Sequence, residues 1–115
     1  MSVKSVLVVE DDALVCRSMV TALRRRFNVM SAPSAQPARA LLTMHSFDVV
    51  VSDYQLHDGT GLEILRWLRD HSPKTKRVMV CGQRPFLTDE DTRRDVVQVL
   101  LVKPCGVPTL VAAIG

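Results

Sequence analysis

At 115 residues the chain is long enough for one domain with one core and too short for two. Its composition, 47% hydrophobic and 23% charged, excludes disordered and fibrous classes, and its longest nearly apolar stretch, Val96 to Val102, is much too short to span a bilayer. A net charge of +3 spread along the chain is weak support for nucleic-acid binding, and three cysteines without close pairing (Cys16, Cys81, Cys105) suggest neither a disulfide framework nor a zinc site.

In chain order, "SVLVV" (5–9) is a continuous apolar run of strand length, and Ala13 to Arg25 carries Val15, Met19, Ala22 and Leu23 at helical spacing. Arg24, Arg25 and Arg26 close that helix, where cations complement its dipole. "NVMSA" (28–32) is a short second strand, followed by a helix from Ala35 to Met44 with Ser34 as its cap and Pro37 in the first turn. "DVVVSD" (48–53) is the third strand. Leu62, Leu65 and Leu68, with Ile64 and Trp67, give the third helix its apolar face before Ser72-Pro73 stops it. "RVMVC" (77–81) is the fourth strand, and Thr88 with Asp89, Glu90 and Asp91 starts a fourth helix ending near Val96 or Val97. "QVLLV" (98–102) is the fifth strand, and a short fifth helix runs from Leu110 to Ile114.

Five strands alternating with helices predict a doubly wound α/β fold: a parallel five-stranded sheet with helices on both faces. Nothing marks a second domain within residues 1–115. In such a sheet the functional site lies at the carboxyl ends of the strands, near the point where strand order reverses. The first strand ends in Glu10-Asp11-Asp12, the third in Asp53, the fourth in Cys81-Gly82 and the fifth in Lys103-Pro104. Carboxylates crowded together resist ionisation unless a cation neutralises them, and Mg²⁺, with Mn²⁺ as an alternative, suits an oxygen-ligand site that must also admit phosphate. The plainer reading, that the three acids merely cap the first helix, accounts for one of them, best Asp12, and leaves Asp53 and Lys103 without a role.

"VLVVEDD", "VVVSDYQLHDGTGLEIL", "VMVCG" and "LLVKP", in this order and at these separations, resemble the receiver domain of bacterial two-component response regulators over essentially the whole chain. The resemblance implies the flavodoxin-like, CheY-like form of the fold. It implies Asp53 as phosphoryl acceptor, Asp11 as a direct Mg²⁺ ligand, Glu10 acting mainly through water, the Gln55 backbone carbonyl as a further ligand, and Lys103 as partner of Asp53 or its phosphoryl group. It also implies a cis Lys103-Pro104 bond, and a Gly61 that lets the loop turn into the third helix. The implied partners are a sensor histidine kinase or phosphotransfer protein and a downstream output partner or domain, with a homodimer as a further option and no direct contact with nucleic acid or membrane. The N-terminus MSVKS lacks a signal peptide's apolar region, so the setting expected is cytoplasmic.

Departures from the pattern are expected to matter for readout. Cys81 stands where receivers carry Ser or Thr, and a thiol is a poor donor, which leaves the Gly82 backbone N–H as the alternative phosphoryl contact. Leu100 replaces an aromatic residue that turns inward on activation. Val96-Val97 replaces a Gly-Ala pair, which reshapes the segment before the fifth strand. His57 stands in place of a loop proline and is expected to be solvated. Gln55 and Gln83 occupy positions that tune attack of water on the acyl phosphate. Two other readings compete: an interaction module insensitive to phosphorylation, and a phosphohydrolase with Asp53 as nucleophile. The second needs a general acid that Gln55 does not supply, so the chain is not expected to be an enzyme. Either the natural chain continues past Gly115 or the receiver is clipped there.

Overall fold

The computed structural model describes residues 3–82 and 96–115. Gln83 and nearly all of the helix expected from Thr88 lie outside the described residues; Val96 and Val97, at its expected end, are buried and non-helical. The elements are β1 (Ser5–Val9), α1 (Ala13–Leu23), β2 (Asn28–Ala32), α2 (Ala35–Met44), β3 (Val49–Asp53), β4 (Gln55–Leu56), β5 (Gly59–Thr60), α3 (Gly61–His71), β6 (Lys76–Cys81), β7 (Val99–Val102) and α4 (Val107–Ile114). Five strands form one sheet in the order β2-β1-β3-β6-β7, every neighbouring pair parallel.

Valine-rich strands form here because both faces of the sheet are covered, so neighbours in sequence alternate between two separate cores. Leu7, Val9, Val50 and Met79 pack with Ala38 of α2 and Ile64, Leu65 and Leu68 of α3. Val6, Val8, Val49, Val51, Val78 and Val80 pack on the other side with Val20 and Leu23 of α1 and Leu110 and Ile114 of α4. Each fully buried side chain of this size contributes about 1.5–3 kcal/mol, which holds the strand ends that carry the polar residues.

The helix boundaries have local causes. The Asp12 carboxylate accepts from the Leu14 and Val15 backbone N–H groups at 3.0 and 3.2 Å, so it is the cap of α1 that the sequence suggests. Helix α1 stops at Leu23, with no basic residue in its last turn, so Arg24–Arg26 lie at and beyond its end rather than closing it. Ser34 holds the cap position of α2 but its side chain caps nothing; Asp58, from the β4–β5 hairpin, accepts from the Ala35 and Gln36 N–H groups at 2.8 and 2.9 Å instead. Those two orphan donors hold the Asp58 carboxyl below its ordinary value, the Gln36 bond contributing most. Helix α4 begins at Val107, three residues earlier than the apolar spacing suggests, with Pro108 in its first turn.

Val96 and Val97 sit in the core on the α2–α3 side. The segment is tied down by Arg77, a buried guanidinium on β6 that donates to the carbonyls of Val96, Pro73 and Thr75, each at 3.0 Å. Satisfying the guanidinium with carbonyls offsets the cost of burying it.

Candidate functional site

Strand order reverses at β1, which lies between β2 and β3, and the crevice that this creates opens at the carboxyl ends of β1 and β3. Register does the rest. Val9 is level with Ser52, so the next residues, Glu10 and Asp53, emerge side by side; Cys81 is level with Val102, so Lys103 emerges two strands away. Backbone bonds fix these ends: Glu10 N–H donates to Ala32 at 3.1 Å, Tyr54 N–H to Val80 at 2.9 Å and Lys103 N–H to Cys81 at 2.7 Å.

Lys103 reaches across β6, and its ammonium donates to Glu10 Oε1 at 3.1 Å and to Asp53 Oδ2 at 3.2 Å. Carboxylate oxygens of Glu10, Asp11 and Asp53 all lie within 4.8 Å of one another. Glu10 is buried, Asp53 half-buried and Asp11 exposed, so the cluster is anchored at one end and open at the other. Burial, then the hydrogen bond with Asp53, pushes Glu10 up to about 7 from its ordinary 4.5, with Lys103 pulling the other way. For Lys103, burial pulls its pKa down, but bonding to Glu10 and Asp53 outweighs this, and the ammonium is held above its ordinary value.

That balance is the test of whether a divalent cation fits. One ammonium faces three carboxylates, and burial, with the bond to Asp53, leaves Glu10 holding its proton near neutrality. An all-oxygen donor set, crowded and open on one side, suits a hard cation that keeps several waters.

The loop after Asp53 is shaped by contact. A Cβ on Gly61 would collide with the Asp53 carbonyl oxygen and come within 2.6 Å of Ser52 Oγ, while the Gly61 N–H donates to Tyr54 at 2.8 Å. Gly61 is therefore required for space at the start of α3, a stricter reason than the turn inferred from sequence. Ser52, fully buried, donates to the Asp53 carbonyl at 2.9 Å. Gln55 opens β4, exposed, in a hairpin register of Gln55 with Thr60 and Leu56 with Gly59; Gly59 adopts φ of 152°, and His57 is exposed at the tip. The sequence reading missed this hairpin and the role of Asp58, although "HDGT" carries the Asp-Gly turn signal that would have found it.

At the end of β6, Cys81 is buried and its thiol donates to the Leu101 carbonyl at 3.6 Å, which turns it toward β7. Gly82 is exposed, and a Cβ there would meet nothing within 4 Å among the described residues. Leu100 is half-buried against the α2–α3 core and is not part of the acidic cluster. The Lys103-Pro104 bond is cis. No disulfide links Cys16, Cys81 and Cys105 among the described residues. Among the described residues no helix is long and apolar enough to cross a membrane.

Comparison with known proteins agrees with this geometry. The response regulator receiver domain family matches residues 6–115. The alginate biosynthesis transcriptional regulatory protein AlgB of Pseudomonas aeruginosa is 31% identical over 102 residues, covering 88% of this chain; the chain spans only 23% of AlgB's length. A CheY-like receiver domain from Methanospirillum hungatei superposes with a TM-score of 0.90 at 24% identity, over 98% of this chain and 91% of that one. A Burkholderia pseudomallei response regulator solved with a phosphorylated aspartic acid, calcium ion and citrate gives a TM-score of 0.86 at 25% identity, over 97% and 66% of the two chains. With its flavodoxin-like five-stranded sheet and its acidic cluster at the strand-order reversal, the chain belongs to the receiver domain family of two-component response regulators.

Proposed function

We propose that Asp53 accepts a phosphoryl group from a phosphohistidine on a sensor kinase or phosphotransfer protein, and that the domain passes this state to a downstream output partner in the cytoplasm. The observation that carries the proposal is the placement of Lys103, whose ammonium bridges Glu10 and Asp53 at 3.1 and 3.2 Å beside an open carboxylate cluster. The Burkholderia protein, whose structure holds a phosphorylated aspartic acid and a calcium ion, supports the same reading.

In the proposed step an Asp53 carboxylate oxygen attacks phosphorus, an O–P bond forms, and the donor's N–P bond breaks with its electron pair returning to the imidazole. Strand β3 holds the nucleophile rigid, and Lys103 stands ready to follow charge from the carboxylate to the phosphoryl oxygens. Asp11 and Asp53 would hold a divalent cation directly, Glu10 through water, and the Gln55 backbone carbonyl would complete the protein's share. When bound, Mg²⁺ or Mn²⁺ supplies positive charge that offsets repulsion between the carboxylates and the incoming phosphate. Gln55, an amide where a hydrolase would need a general acid, supports phosphoacceptor chemistry rather than enzymic turnover.

The test is phosphate incorporation from a small acyl phosphate in the presence of Mg²⁺. Asp53→Asn is expected to abolish hydroxylamine-sensitive labelling; undiminished labelling of that variant would sink the assignment.

A further inference from the structure

The hairpin that follows Asp53 is too small to hold itself. Its strands are two residues each, with Gln55 level with Thr60 and Leu56 with Gly59, and a hairpin of that size is at best marginally stable alone in water. Leu56 pins it to the core on the α2–α3 side, which leaves the tip, from His57 to Gly59, to be set by other contacts. The Asp58 carboxylate makes them. It accepts from the Ala35 and Gln36 backbone N–H groups at 2.8 and 2.9 Å, two charge-assisted bonds to the first turn of α2. A further link to α2, from Arg39 to Glu63 of α3 at 3.6 Å, is half-exposed at both ends and contributes little.

Those two bonds land beside the acidic rim. Helix α2 begins straight after β2, with only Pro33 and Ser34 between Ala32 and Ala35. Ala32 is level with Val9 in the sheet, and its carbonyl accepts from the Glu10 N–H at 3.1 Å. Ser34 is buried in extended backbone, with φ of −162° and ψ of 179°, so this turn has little slack. One short turn therefore holds Glu10 at one end, through the Ala32 carbonyl, and the loop after Asp53 at the other, through Asp58. Glu10 and Asp53 already emerge side by side from β1 and β3, and this path joins them a second time, outside the sheet.

An ordinary cap stabilises the helix it sits on, and Asp58 does that for α2. A cap contributed from 23 positions away constrains both of its ends, so α2 holds the hairpin as firmly as the hairpin holds α2. We propose that Asp58 is a positioning residue for the cation: by fastening the hairpin to the β2–α2 turn it fixes Asp53 and the Gln55 backbone carbonyl relative to Glu10 and Asp11, and so sets the affinity of the cluster for Mg²⁺. This rests on the cation site proposed above and does not depend on phosphoryl transfer. Asp58 is not one of the clustered acids and acts through the backbone it anchors.

Titration of the full, metal-free chain with magnesium chloride, followed by amide NMR in the parent and three variants, tests this. Asp58→Ala is expected to weaken Mg²⁺ binding by at least about tenfold. Before any metal is added, it should also speed exchange of the Gly61 N–H, which donates to Tyr54 across the base of the hairpin. Asp58→Asn, which keeps one acceptor oxygen of the two, is expected to lose less affinity. Gln36→Gly weakens the first turn of α2 but keeps the N–H that Asp58 accepts, and should bind Mg²⁺ as the parent does. Unchanged affinity in Asp58→Ala, an equal loss in Gln36→Gly, or a parent chain that binds no Mg²⁺ would overturn the proposal. If Asp58→Ala does not fold, Asp58→Asn carries the test, and binding as tight as the parent's overturns it. Acyl-phosphate labelling tells the two readings apart. An unlabelled parent with the expected order of affinities rejects Asp53 as acceptor and upholds the role of Asp58, whereas a labelled parent with one affinity for all variants keeps the acceptor and rejects that role.

Discussion

The acidic rim built by β1 and β3 and the neighbouring ends of β6 and β7 share one sheet edge but differ in kind. On the first, four charged side chains converge: Glu10, Asp11 and Asp53 within 4.8 Å and Lys103 drawn across to meet them, with Gly61 leaving room. On the second, the side chains turn away. The Cys81 thiol is engaged by the Leu101 carbonyl, and Leu100 is held against the α2–α3 core. Under the proposed function, accepting a phosphoryl group and reporting it are therefore separable, because the parts of the first are positioned by strand register and the parts of the second by side-chain identity.

The largest expected effect is on the rim. Beyond the loss of labelling in Asp53→Asn, Gly61→Ala should destabilise the domain by about 1–3 kcal/mol and lower labelling, since the added methyl must displace the Asp53 backbone. Urea unfolding and phosphate incorporation measured together check this, and a variant as stable and as readily labelled as the parent would show that the loop yields easily. On the other side, Cys81→Thr should leave labelling intact while extending the amide shifts induced by beryllium fluoride toward Leu100. Identical shift maps for the two proteins would break the contrast between the two regions.

A subtler effect comes from Glu10. Its folded pKa of about 7 lies above its ordinary 4.5, so the folded state holds this proton longer than the unfolded chain does. The stability it contributes is fully present below pH 4.5 and is lost as pH rises through about 7. Mg²⁺ should offset that loss increasingly over the same range, and Glu10→Gln should flatten the slope; urea midpoints at several pH values, with and without Mg²⁺, give the comparison. Smallest is Asp12→Ala, which removes the α1 cap at a cost of about 1 kcal/mol and should leave labelling unchanged, because Asp12 faces the Leu14 and Val15 backbone and not the cluster.

The elements legible in the sequence are those whose signal is local. Unbroken valine runs identified β1, β3, β6 and β7 within a residue at each end, because strands buried on both faces carry no polar alternation to confuse them. Asp12 was recognisable as a cap from its position ahead of α1. The β4–β5 hairpin went unseen because its strands are two residues long, too short for periodicity to register. The cap of α2 was assigned to Ser34, its sequence neighbour, but the carboxylate that performs it comes from Asp58, 23 residues from Ala35. Helix α1 was read two residues too long, since Arg24 and Arg25 are good helix formers and nothing in them says that the turn tightens.

By itself the sequence determined the alternation of strands and helices, the placement of acids and a lysine at strand ends, and the family to which these belong. Periodicity and end-position are properties of one segment at a time. Only the tertiary structure decided which of those ends meet: that Glu10 emerges beside Asp53, that Lys103 crosses a strand to reach both, and that Gly61 is needed for a backbone contact. Each of these depends on register and on packing between segments distant in the chain, which local preference does not encode.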